Sequence, residues 1–131
     1  MTVRELAHLW DLYERIEKVC DAHSNYLVLD FIILPLPDDW TGCAATCNYH
    51  KERIYLHKAL ISRRDACEET FLHEVAHGIV MESEQRIRRG LGTHGTHWQD
   101  VFSQLLGRPY HCKDRRYHGD LGAQEKLISA E

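Results

Sequence analysis

Two histidines four residues apart enclose a glutamate in the string His73-Glu74-Val75-Ala76-His77. Four residues of α-helix turn through about 400°, so the two imidazoles stack on one face, one turn apart. Glu74 is rotated from His73 by about 100°. Phe71, Leu72, Val75 and Ile79 supply an apolar opposite face, so the string reads as the middle of a half-buried helix. Asp65-Ala66-Cys67-Glu68 resembles a capping box, which predicts a helix from there to about Glu82. A chain organised around such a helix must fold further polar groups back onto the histidine face.

The flanking sequence supplies the elements for that return. Thr2 and Glu5 form a capping box, and Leu6, Leu9, Trp10, Tyr13, Ile16 and Cys20 recur at helical spacing. One helix is predicted to about Asp21. Leu27 to Leu34 is rich in branched apolar residues and is stopped by Pro35 and Pro37, so it reads as a buried strand. Gly42 to Cys47 and Arg53 to His57 read as a hairpin. A Gly-rich turn, Gly90 to Gly95, precedes a third capping box at Thr96 and Gln99. Trp98, Val101, Phe102 and Leu105 then predict a helix ending near Gly107-Arg108-Pro109.

Two imidazoles at i and i+4 chelate one tetrahedral metal, and the adjacent glutamate reaches a water on it without ligating. This is the H-E-x-x-H logic of zinc hydrolases, with one Zn2+ as cofactor and Glu74 as base. A catalytic zinc needs a third protein ligand and an open position. Glu82, Glu84, His94 and His97 are the candidates. The glutamates sit near the end of the same helix, before the chain has turned back. The histidines follow the Gly-rich turn; spacing favours His94, beside Gly95, and leaves His97 as the alternative. His97, Tyr110, His111 and Tyr117 are candidate donors to an oxyanion. His111, Cys112 and His118 are weighed as a second metal site and read instead as loop residues.

Composition bounds the rest. The 131 residues make one domain, and 44% apolar with 27% charged residues excludes a disordered or collagenous chain. Five cysteines (Cys20, Cys43, Cys47, Cys67 and Cys112) with no C-x-x-C pair predict reduced thiols rather than a disulfide framework. No basic, then apolar, leader is visible, and Leu27 to Leu36 is too short and too interrupted to span a bilayer. A cytoplasmic protein with no membrane partner is expected. The net charge of -4 argues against a generic nucleic-acid coat. Charge is uneven, however. Seven basic and four acidic residues between Glu82 and His118 give +3, which leaves -7 on the remainder. Arg86, Arg88 and Arg89 are therefore candidate contacts for weak nucleic-acid binding.

His73-Glu74-Val75-Ala76-His77 followed by His94-Gly95-Thr96-His97-Trp98 resembles the SprT-like metalloproteases, whose pattern is H-E-x-x-H, a spacer and H-G-x-x-[FW]. The family includes bacterial SprT and the DNA-dependent protease Spartan. Gly42 to Cys47, Ile54-Tyr55-Leu56 and Leu60 also resemble the strands that precede the family's active helix, and the resemblance runs from Leu6 to Pro109. It implies His94 as third ligand and Trp98 as an aromatic packed behind the site. It implies an α+β, zincin-like fold over residues 1–110, with a short extension over 111–131. The C-x-x-C pairs of a zinc ribbon are lacking, so a minimal form of the family is expected. The expected function is zinc-dependent hydrolysis of peptide or protein substrates, with nucleic-acid-associated proteins as one substrate class. Its rivals are a zinc-stabilised binding or regulatory module without turnover and a non-peptide hydrolase. Glu74 favours an enzyme, because a structural zinc site needs no base.

Overall fold

The computed structural model describes residues 1–36, 45–48, 50–58, 63–80 and 96–109. Helix α1 (Val3–Leu9) and helix α2 (Tyr13–His23) are followed by a 3-10 turn (Leu27–Asp30) and strand β1 (Ile32–Pro35). Strands β2 (Ala45–Asn48) and β3 (Arg53–Leu56) come next, then helices α3 (Arg64–Val80) and α4 (Thr96–Leu106). Helices and a short mixed sheet make this an α+β fold.

The capping box of Thr2 and Glu5 forms as expected. The single first helix does not. It breaks at Asp11, whose φ is +58°. The Leu12 N–H donates back to the Ala7 carbonyl at 2.7 Å. Trp10 and Leu12 are both buried. On one continuous helix they would point about 200° apart, so the break turns both to the core.

The strand expected over Leu27 to Leu34 is also corrected. Its first half is the 3-10 turn: the Leu29 N–H donates to the Tyr26 carbonyl and the Phe31 N–H to the Val28 carbonyl, so these groups bond locally rather than to a neighbouring strand. Asn25 starts that turn by accepting from the Leu27 N–H through Oδ1. The hairpin forms where it is described: β2 pairs antiparallel with β3, Cys47 opposite Ile54, while Gly42 to Ala44 of the expected strand lie outside the described residues. β1 pairs parallel with β3, so the strand order is β1-β3-β2.

The two sheet edges differ. Met1 and Thr2 cover the outer side of β1, with the Ile33 N–H donating to the Met1 carbonyl at 2.8 Å. Among the described residues no strand pairs with the outer side of β2.

Helix α3 starts one residue before the expected capping box. The Cys67 N–H donates to the Arg63 carbonyl, so Asp65 lies in the first turn rather than at the cap. α3 packs against β2, the 3-10 turn and α4. Gly78 permits the close approach to the turn, since a Cβ there would fall 3.0 Å from Val28 Cβ. Asn25 Nδ2 donates to the Ile79 carbonyl at 2.7 Å and ties down the last turn of α3. α4 ends as the sequence predicts, on Gly107 at φ +74°, whose N–H donates to the Ser103 carbonyl. The extension expected over 111–131 lies outside the described residues.

Candidate active site

His73, Glu74 and His77 all lie on α3, the helix that packs against β2 and α4. His73 and Glu74 are 2% and 3% exposed, and His77 is half-buried. The Nε2 atoms of the two histidines lie 3.2 Å apart. Two nitrogens bonded to one tetrahedral zinc at about 2.0–2.1 Å lie about 3.3–3.4 Å apart, so the pair already has the span of a chelate. Glu74 Oε1 is 3.8 Å from His73 Nε2, beyond a hydrogen bond and close enough to meet a water there. The donor set is thus two converging imidazoles with a carboxyl held to one side, and it fits a zinc ion.

The environment is mostly apolar. Burial pushes the Glu74 carboxyl up to about 8. Cys47 of β2 is a second titratable neighbour. Burial, then the Glu74 charge, raises its thiol well above the ordinary range. Burial also pushes the Cys20 and Cys67 thiols up to about 11 and about 12. All three are unbridged thiols, as expected.

Helix α4 supplies the wall behind the histidines. Trp98 is buried, and its ring stacks on His77 at 5.2 Å and 22°. It meets His73 edge-on at 4.7 Å. Its Nε1 donates to the His73 carbonyl at 3.4 Å. Phe102, one turn further, lies 5.5 Å from the His73 ring. The sequence marks Trp98 through the H-G-x-x-W string, but Phe102 reads there only as part of a core stripe. Cys47 next to Glu74 had no sequence signal beyond strand alternation.

A model described as the SprT-like family matches residues 11–118. The chain belongs to the SprT-like family. That family is of metalloprotease type and is generally associated with zinc. Among curated proteins and among solved structures, nothing matches the chain. Among the described residues, no helix is long and apolar enough to cross a membrane.

The SprT-like match covers residues 94 to 98 of the H-G-x-x-W string, but the structure describes them only from Thr96 onward. His94 lies outside the described residues, as do Glu82, Glu84, Arg86, Arg88, Arg89, Tyr110, His111, Cys112, Tyr117 and His118. His97 is described. It is the second residue of α4, and its ring sits 5.5 Å from that of His23 at the end of α2.

Proposed function

We propose that the chain is a zincin-like, zinc-dependent metallopeptidase that hydrolyses peptide bonds. The observation that carries this reading is the approach of His73 Nε2 and His77 Nε2 to 3.2 Å beside the buried carboxyl of Glu74. His94 is the proposed third ligand. A zinc ion held by these residues would polarise the scissile carbonyl and acidify a water. Glu74 takes the proton of the attacking water and passes it to the leaving amine nitrogen. A carboxyl whose burial raises its proton affinity suits that task near neutral pH.

The remaining residues position the reaction. Trp98 and Phe102 keep water from the back of His73 and fix its ring. The outer side of β2 takes an extended substrate backbone as an added strand, since it is the sheet edge that α3 packs beside. Tyr110 is the proposed donor to the oxyanion, since the His97 ring lies against His23. Arg86, Arg88 and Arg89 are the proposed contacts for nucleic acid, which makes nucleic-acid-bound proteins the proposed substrate class. A purely structural zinc gives no reason to bury an acid beside its ligands, so Glu74 favours turnover.

The test is Glu74→Gln, assayed on casein and a broad peptide panel. The variant should keep its zinc and its circular dichroism while cleavage falls by at least ~10²-fold. An unchanged kcat would overturn the mechanism. A wild-type protein that binds zinc and cleaves nothing would replace it with the zinc-stabilised module.

A further inference from the structure

A second pair of imidazoles meets across elements, between α2 and α4. His23 stands in the last turn of α2 and His97 in the first turn of α4, with ring centroids 5.5 Å apart. The centroids of the His73–His77 pair are 4.9 Å apart. Two imidazoles on one tetrahedral metal, with bonds of about 2.0–2.1 Å, place their centroids about 5 Å apart. Gln104, further along α4, brings its Oε1 to 3.2 Å from His23 Nε2. That is the same donor-to-donor spacing as between His73 and His77. His23 is therefore flanked by the His97 ring and by the Gln104 amide oxygen, to which it is hydrogen-bonded, both from α4. His23 and His97 are half-buried and Gln104 is exposed, so a hydrated ion can reach them and keep part of its water.

We infer that His23, His97 and Gln104 form a second, weaker site for a divalent transition metal of the imidazole-preferring kind, such as Zn2+ or Ni2+. Two nitrogens and one neutral oxygen are a poor set for Ca2+ or Mg2+, which take oxygen-rich shells. The ion would tie the end of α2 to the start of α4. The next residue on α4 is Trp98, the wall stacked on His77. Filling the second site thus clamps the helix that backs the first.

Zinc chloride is the probe, titrated calorimetrically into the full chain. Wild type should show a tight event of one equivalent and then a weaker event of one equivalent. His23→Gln and His97→Gln should each abolish the weaker event and keep the tight one, with His8→Gln as a surface control that keeps both. His73→Gln should lose the tight event and keep the weaker one, which separates this inference from the proposed catalytic zinc. Binding to the native state alone raises thermal stability. Excess zinc should therefore raise the Tm of wild type further than that of either His23 or His97 variant. A weaker event that survives in both variants, or its absence from wild type, would overturn the inference. So would loss of the tight event in His97→Gln, which would make His97 a ligand of the first metal.

Discussion

Glu74 is the residue whose burial costs the fold most obviously. Its carboxyl is pushed from an ordinary 4.5 up to about 8. An acid whose folded-state pKa is raised stabilises the fold fully below its unfolded value, and that contribution is lost as pH rises through the folded value. Metal-free protein should therefore lose more stability than its Glu74→Gln variant between pH 5 and pH 9. Thermal melts of both in a chelator would show it, and parallel profiles would contradict it. The sequence revealed this residue through its place between two histidines. It did not reveal the environment, because Cys47 and Phe102 reach the site from a strand and a helix far away in the chain. Spacing along one helix is a local property, whereas the walls of a site depend on packing between elements.

At the scale of elements, α3 is held by close contact rather than by length. Gly78 follows His77, and its missing side chain lets the 3-10 turn press on the helix. Gly78→Ala should cost about 1–3 kcal/mol by overpacking against Val28. Val28→Ala should leave a cavity of its own, yet the double variant should lose less than the sum of the two. Urea midpoints of the four proteins measure this coupling, and strict additivity would contradict the contact. The last turn of α3 has a second anchor in Asn25. Asn25→Ala should cost about 1–2 kcal/mol, because it removes the donor to Ile79 and the acceptor for Leu27. An unchanged urea midpoint would contradict it. Helical periodicity foretold α3 and α4 and the Gly107 stop. It missed the break at Asp11, since Leu6, Trp10, Tyr13 and Ile16 suit the apolar stripe of a longer helix and only Leu12 falls off it. It missed the 3-10 turn for a similar reason: a run of buried apolar residues has no period that separates strand from tight turn.

In the whole molecule, three layers of contact meet at one helix. The sheet offers α3 its edge strand β2, α4 offers aromatic rings, and the 3-10 turn fixes its end. The charge distribution adds a long-range feature, with +3 between Glu82 and His118 against -7 elsewhere. Nucleic-acid binding through this segment should be weak and without sequence preference, since the net charge of -4 gives poor long-range attraction. Replacing Arg88 and Arg89 with Ala should reduce the salt slope by about one unit per lost phosphate contact. Fluorescence anisotropy with single- and double-stranded oligonucleotides measures it, and no binding at ~50 mM salt would contradict it. The central claim is the metal centre on α3, and X-ray absorption at the zinc edge tests it most directly. Protein loaded with one equivalent should show zinc bound by imidazole nitrogens at about 2.0–2.1 Å, and in a His23→Gln background His77→Ala should abolish that signature. Sulfur scatter at about 2.3 Å, or an unchanged spectrum in that double variant, would contradict it.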